Sequence, residues 1–372
     1  MRIGLDARSI GARVCGVSRV TLRLIQALAA GDKENQYFVL TDSVRLAEIE
    51  NPNFSVLPTD CPRMNPLFDW KFSRIVSGLA LDVFHSVHSW LPFNMGHIRA
   101  RKIVTIHDIF AVTDPAFFSK YRPFGGMARR YFSFLTERSA READMILTVS
   151  EYSKKRIQEL MPATIGKVHV VYNASGLDLS VQTSGVVADV QGKYLLYVGN
   201  CRSYKNVPVL VKGFAEYLRA NPASDLLLVI AGNDRCAAIR ELAEQSGILS
   251  RIKFIFNPDD SRLRNLYSGA LAFIMPSKEE GFGIPVLEAM GMGIPVIVSD
   301  AEALLEVAGD GALVFPKNNY DRLAVLIEQI SLDENMRADL RRRGIARSSV
   351  FSWERSANEL KSCYKKCCNE VI

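Results

Sequence analysis

Two short stretches carry residue types that could together handle a phosphorylated, hydroxyl-rich ligand. The first is Glu279-Glu280-Gly281-Phe282-Gly283-Ile284-Pro285-Val286-Leu287-Glu288-Ala289-Met290. Gly281 and Gly283 permit tight backbone geometry and let main-chain N–H groups approach a ligand. Pro285 suits the first turn of a helix, where its missing N–H costs nothing. The N–H groups at that helix start would face an anion. Glu280 and Glu288 would repel a phosphate unless they grip something else, and sugar or ribose hydroxyls donate well to carboxylate oxygens. The second stretch is Gly199-Asn200-Cys201-Arg202-Ser203-Tyr204-Lys205-Asn206. Asn206 is predicted to cap a helix opening at Val207-Pro208. That aims Lys205 and Arg202 at the space over a helix N-terminus, where a diphosphate would meet cations and backbone donors together.

Each of these residues also has a plainer reading. Lys205 can be a solvated lysine, and Glu280 and Glu288 ordinary surface and helix acids. The flanking glycines and the helix start would then lack a purpose. His107, in Ile106-His107-Asp108, taken alone reads as a structural histidine at a strand end. His85 and His88 are explained adequately by a strand-end loop. Asp108 is a candidate to cap locally or to orient His107.

The elements that must position these residues are predicted from apolar runs alternating with helical segments. Strands are expected at Arg2–Asp6, Tyr37–Leu40, Val83–His85, Lys102–Ile106, Met145–Val149 and Val168–Tyr172. The second half adds Tyr194–Val198, Leu226–Ile230, Ile252–Phe256, Ala272–Met275, Pro295–Val298 and Ala312–Phe315. Helices are expected at Val17–Ala30, Arg122–Glu142 and Glu151–Leu160 in the first half. In the second half they fall near Val207–Arg219, Ala237–Ser246, Ser261–Gly269, Ile284–Met292, Tyr320–Leu332 and Glu334–Arg347. Such alternation implies parallel sheets covered on both faces. The chain has 372 residues, which favours two domains of roughly 180 residues each. The rhythm breaks between Asn173 and Lys193, where a linker is predicted. Both candidate stretches follow predicted strands, and ligands of doubly wound domains bind at the carboxyl ends of strands.

The composition is 48% hydrophobic and 23% charged, ordinary for a globular protein. The sequence contains no run of about 18 uncharged apolar residues, and its start does not read as a signal peptide. The seven cysteines are odd in number and irregularly spaced. Structural zinc is not expected, and reduced thiols in a cytoplasmic protein are. Between His97 and Arg156 twelve basic residues face six acidic ones, an excess equal to the whole net charge of +6. The segment from Lys120 through Phe134 mixes Arg122, Arg129 and Arg130 with Phe124 and Phe132. It reads either as a solvated amphipathic helix or as a contact for an anionic membrane. No recognition motif for nucleic acid accompanies the charge, and nucleic acid is not an expected partner.

Glu280 and Glu288, with seven residues between, resemble the paired-glutamate motif of retaining GT-B glycosyltransferases of family four. "EGFGIPVLEAM", "GIPVIVSD", "YKN", "LVIAG", "TIHDIF", "ADMILTVSEYS", "VHVVYN" and "FSWERSA" agree with it. The resemblance spans nearly the whole chain and is nearest to bacterial mannosyltransferase-like enzymes. It implies an α/β GT-B architecture, with two doubly wound Rossmann-like domains facing each other across a cleft. An N-terminal acceptor-side domain would span residues 1–178 and a nucleotide-sugar domain residues 190–350. A C-terminal helix of about 353–372 would pack back on the first.

Transfer of mannose from GDP-mannose to a glycan or lipid-diphosphate-linked acceptor is implied, in polysaccharide or lipopolysaccharide assembly. The location would be the cytoplasm, at the inner face of the membrane. No cofactor and no metal are implied, and no Asp-x-Asp motif is present. Catalysis would fall to His107, Lys205 and Glu280. The donor would be held by Gly16, Arg202, Lys205, Glu280, Gly281, Phe282, Gly283 and Glu288, with the loop Gly11–Gly16 closing near the phosphates. Many relatives carry Arg where this chain has Asn200, so Arg202 is expected to supply the second cation. The competing readings are a non-catalytic sugar-nucleotide scaffold and another GT-B enzyme such as an epimerase.

Overall fold

Parallel strands buried on both faces need continuous apolar runs, because both sides meet packed helices rather than water. Ile3-Gly4-Leu5, Leu195-Leu196-Tyr197 and Phe273-Ile274-Met275 are such runs, and each lies in a strand with a solvent-free centre. The computed structural model describes residues 1–10, 16–42, 46, 49, 51–62, 65–114, 117–118, 124–178 and 190–369. The chain separates into two units, Met1–Asn173 with Ser352–Ile372, and Ala174–Phe351.

The first unit holds strands β1 (Arg2–Asp6), β2 (Gln36–Thr41), β3 (Phe54–Pro58), β4 (Val83–Ser86), β5 (Arg101–Thr105), β6 (Met145–Thr148) and β7 (Val168–Val170). They form one sheet in the order β3-β2-β1-β4-β5-β6-β7, parallel throughout. Its helices are α1 (Gly16–Gly31), α2 (Pro66–Gly78), α3 (Phe110–Thr113), α4 (Gly125–Glu142) and α5 (Glu151–Leu160). The second unit holds β8 (Tyr194–Val198), β9 (Leu227–Gly232), β10 (Ile252–Phe256), β11 (Ala272–Met275), β12 (Val296–Ser299) and β13 (Ala312–Phe315). Their order is β10-β9-β8-β11-β12-β13, again parallel. Helices α6 (Val207–Ala220), α7 (Ala237–Gln245), α8 (Asp260–Ser268), α9 (Ile284–Gly291), α10 (Glu302–Ala308), α11 (Tyr320–Leu332) and α12 (Glu334–Ser348) complete it.

The last helix, α13 (Trp353–Asn369), buries a stripe of Ala357, Leu360, Tyr364 and Cys367. These residues join Ile25 and Leu28 of α1 in the core of the first unit. The stripe repeats at helical spacing, which is why the chain's end can complete a core begun at its start.

Strand order reverses between β1 and β4 in the first sheet and between β8 and β11 in the second. At such a reversal the connecting loops leave in opposite directions and open a crevice at the carboxyl ends. The candidate residues gather at these two places. Four labelled elements were not predicted: the edge strand β3, and helices α2, α3 and α10. Strand β3 buries one of its five residues, half-buries two and exposes two, so it lacks the continuous apolar signal of its neighbours.

Candidate functional site

In the second unit, the loop after β8 enters a single 3-10 turn at Ser203–Lys205 before α6 begins. Asn206 sits there with φ +55°, a left-handed conformation that asparagine tolerates better than most residues. The predicted helix cap is not formed. Asn206 instead donates through Nδ2 to the carbonyls of Pro276 (3.1 Å) and Lys317 (2.7 Å). The left-handed backbone turns the side chain away from the helix start, so it fastens the loop after β8 to the loops after β11 and β13. A backbone bond from the Lys278 N–H to the Tyr204 carbonyl, 2.7 Å, adds a second fastening.

Lys205 and Glu280 meet across this junction. The ammonium Nζ lies 2.7 Å from Glu280 Oε1, and both side chains are largely buried. The Ser277 hydroxyl donates to the same oxygen at 2.6 Å. A buried pair of this kind holds each charge where water would otherwise compete, and losing one partner would strand the other. Between Glu280 and α9, Gly283 takes φ +110°, and a Cβ there would press within 2.8 Å of Leu304. Only glycine is unstrained at such a turn. Phe282 is buried against Phe351, with ring centroids 5.7 Å apart. Glu288, the fifth residue of α9, is buried and accepts from the Tyr267 hydroxyl at 2.9 Å. No local pattern marks Tyr267, 21 residues away, as its partner.

The expectation that the cysteines are all thiols does not hold. Cys201 and Cys236 are joined by a disulfide, with Cα atoms 5.5 Å apart. Consecutive loops of adjacent parallel strands bring them together, a proximity that a sequence separation of 35 conceals. Cys61, Cys363, Cys367 and Cys368 are free, and Cys15 lies outside the described residues.

In the first unit the carboxyl ends of β1, β4 and β5 gather a different set. Asp6 is fully buried and bonds the Arg8 guanidinium twice, at 2.8 Å through each oxygen. His88 Nε2 lies 3.3 Å from Asp6 Oδ2. Burial works to raise the Asp6 pKa, but Arg8 and then His88 outweigh it and hold the carboxyl far below its usual range. His85, also fully buried, stands between two hydroxyls, Tyr364 at 2.8 Å and Thr105 at 2.7 Å. Burial, then the neighbouring His107 and His88, push its pKa down to about 3.

His107 follows β5, and its Nε2 lies 3.0 Å from the Val87 carbonyl. A carbonyl only accepts, so that nitrogen carries the proton and Nδ1 keeps a lone pair. Burial lowers the His107 pKa to about 4, despite the pull of the carbonyl the other way. A small cleft opens beside it, lined among others by Thr21, His85, Thr105, His107, Asn173 and Trp353. Asp108 accepts from the Phe110 N–H at 3.2 Å, a local turn just before α3, whose cap position is Ile109.

Gly16 is the exposed first residue of α1. Residues 11–15 of the expected closing loop, and Lys120, Tyr121, Arg122 and Pro123, lie outside the described residues. Within α4, Arg129, Arg130, Met127 and Phe134 are exposed, as is Phe124 just before it. Phe132 is not an exposed apolar contact: it packs edge-on to Trp90 at 5.5 Å and against Phe118 at 4.9 Å. Arg138 turns inward to the Leu91 carbonyl and covers the Phe93 ring at 4.0 Å. Among the described residues, no group of His, Cys, Asp or Glu could hold a metal ion, and no helix is long and apolar enough to cross a membrane.

Comparison with known proteins places this geometry. Residues 14–179 match the model of Glycosyltransferase Family 4, and residues 185–347 that of the Glycosyl transferases group 1. O-antigen chain mannosyltransferase B of Escherichia coli is 29% identical over 292 residues, covering 76% of this chain and 74% of that protein. Among solved structures, sucrose-phosphate synthase from Thermosynechococcus elongatus superposes with a TM-score of 0.76 at 20% identity, covering 98% of each chain. Anabaena HepE, in complex with UDP and glucose, gives 0.73 at 16% identity, covering 98% of this chain and 99% of that one. The architecture, two parallel-sheet α/β domains of seven and six strands, is therefore the GT-B one. With one matched model on each domain and the paired glutamates in the second, the chain belongs to the group 1 glycosyltransferases of family four.

Proposed function

We propose that the chain is a retaining glycosyltransferase that moves mannose from GDP-mannose to a glycan or lipid-diphosphate-linked acceptor in polysaccharide assembly, without a metal ion. The observation that carries this reading is the Lys205–Glu280 pair, 2.7 Å long, at the strand-order reversal of the second sheet. Anionic ligands of doubly wound sheets bind in that crevice. The departing nucleoside diphosphate gathers negative charge as the glycosidic bond breaks. Lys205, with Arg202 beside it in the loop, and the helix start after Gly281-Phe282-Gly283 supply the compensating charge and donors. Glu288 takes the ribose hydroxyls, and Glu280 takes hydroxyls of the transferred sugar. His107, neutral and with a lone pair on Nδ1, is suited to accept from a sugar hydroxyl.

Retention by double displacement needs a carboxylate free to attack the anomeric carbon. Glu280 Oε1 already accepts from both Lys205 and Ser277, and such donors stabilise the carboxylate and blunt it as a nucleophile. Same-face attack follows as the favoured route, with the departing phosphate taking the acceptor's proton. The Escherichia coli relative is a mannosyltransferase by name, and Anabaena HepE holds UDP and glucose. The first supports the sugar and the second a nucleoside diphosphate. The exposed Phe124, Met127 and Phe134 with Arg129 and Arg130 support contact with an anionic membrane.

A thermal-shift series against GDP-mannose, GDP and several UDP-sugars tests the donor. A ligand that binds only the folded state raises the melting temperature by mass action. GDP-mannose should give the largest rise, and a larger rise with a UDP-sugar would reassign the base.

A further inference from the structure

We propose that Cys201 and Cys236 form a reversible thiol–disulfide switch that sets the order of the loop carrying Arg202 and Lys205, and through it the affinity for a nucleoside diphosphate. The consequence for affinity rests on the donor-site reading above; the switch itself rests on the geometry of two loops.

Strands β8 and β9 run side by side, and their last bonded residues include Val198 opposite Ala231. The chain leaves both at the same edge. Gly199 and Gly232 touch so closely that a Cβ on Gly232 would fall 2.0 Å from the Gly199 carbonyl oxygen. Past this contact the strand ladder ends. The Tyr197 hydroxyl donates to the Asn200 carbonyl at 2.6 Å in the first loop, and two devices tie the loops to each other. One is the disulfide between Cys201 and Cys236. The other is Asp234, whose carboxylate accepts the Cys236 N–H at 3.0 Å and the Cys201 N–H at 3.3 Å. This non-covalent clip touches both cysteines and does not depend on the sulfur–sulfur bond. It keeps the thiols opposed once they are reduced, so the bond can form again without a search.

Access is unequal. Cys236 is 5% exposed, whereas Cys201 is only half-buried. A thiolate of a dithiol reductant therefore attacks Cys201 Sγ. A new sulfur–sulfur bond forms there as the bond to Cys236 breaks, and Cys236 leaves as a thiolate that takes up a proton. The reductant's second thiol then displaces Cys201 as a thiol and closes the reductant into its own disulfide. Two electrons and two protons pass to the cystine. Oxidation runs the same steps backwards, with a small disulfide or a disulfide oxidoreductase as the electron acceptor.

The loop's far end is fixed, because the Lys278 N–H bonds the Tyr204 carbonyl and Asn206 holds Pro276 and Lys317. With the disulfide closed, residues 201 to 206 are tied at both ends. With it open, the Asp234 clip and the bond from the Tyr197 hydroxyl to the Asn200 carbonyl remain at the near end, but no covalent bond ties it to the neighbouring loop. Binding a diphosphate then also has to order the loop, and affinity falls by that ordering cost.

The oxidised enzyme, the enzyme reduced by a dithiol, and C201S/C236S are compared well below the melting temperature. Mass spectrometry of the non-reduced digest reads the bond, hydrogen exchange reads the amides of residues 200–206, and titration with GDP and UDP reads affinity. Reduction should speed exchange in that loop and weaken binding of the better nucleotide about three- to tenfold. The double variant should match the reduced enzyme and ignore redox treatment. Equal affinities in the oxidised and reduced enzyme would overturn the proposal, even if reduction lowers the melting temperature, because a purely structural cross-link does that alone. So would a digest in which Cys201 and Cys236 never pair. If neither nucleotide binds either form while the exchange difference persists, the donor reading falls and the switch stands.

Discussion

The two sheets use the same place, the carboxyl edge at a reversal of strand order, in opposite electrostatic ways. At β8 and β11 the second unit keeps charge: Lys205 and Glu280 are ionic partners 2.7 Å apart, supported by Ser277. At β4 and β5 the first unit removes it, since burial holds His85 and His107 neutral, at about 3 and about 4. Asp6 stays ionised there, and Arg8 compensates it. A strand-end crevice has no fixed polarity, then. Its character comes from the residues the loops deliver, and from whether each buried charge meets a partner.

The contrast predicts that removing charge matters most in the second unit. Lys205→Ala should cut turnover about a hundredfold or more, the scale for losing one charge-stabilising donor. Steady-state transfer with circular dichroism as a folding check reads this. Near-normal turnover in a folded variant would place the phosphate site elsewhere.

A smaller effect is expected from the exposed charge of the first unit. Each basic residue close to an anionic surface contributes about 1 kcal/mol, and salt screens it. Arg129→Gln with Arg130→Gln should therefore weaken binding to anionic vesicles at least tenfold in a flotation assay, while leaving donor hydrolysis unchanged. Unaltered vesicle binding would make α4 a solvated helix only.

The suppressed histidines give a pH signature. Below the ordinary value of 6.5 the unfolded chain takes up protons that folded His85 and His107 refuse. Stability from these two groups is thus complete above pH 6.5, and is lost as pH falls toward about 4 for His107 and about 3 for His85. The stability read from denaturant melts should fall as pH is lowered across that window, and His85→Gln should lessen its slope against pH. An unchanged slope would mean that His85 is not the group being refused its proton. The smallest effect expected is none: excess chelator should leave transfer intact, whereas an absolute need for manganese or magnesium would end the comparison of protein cations with a metal.

Much of this was legible in the residues. Strands such as Tyr194–Val198, Ile252–Phe256, Ala272–Met275 and Ala312–Phe315 were predicted with the boundaries they have. Parallel strands advertise themselves as unbroken apolar runs, and glycine, proline and asparagine mark where they stop. The glycine-rich loop and its helix start were equally local. What failed was local only in appearance: the cap expected from Asn206 depended on a backbone conformation that the contacts with Pro276 and Lys317 accompany.

By itself, then, the sequence determined the parallel α/β layers, the loops that hold Lys205, Glu280 and Glu288, and the family to which they point. Apolar periodicity, turn chemistry and motif spacing act over a few residues and can be read in order along the chain. The tertiary structure alone decided which residues meet across long separations. Tyr364 reaches His85 over 279 residues and Lys205 reaches Glu280 over 75, while Cys201 joins Cys236 over 35. A hydrogen bond, ion pair or disulfide depends on distances of a few ångströms in space, and strand order, which no local pattern encodes, sets those distances.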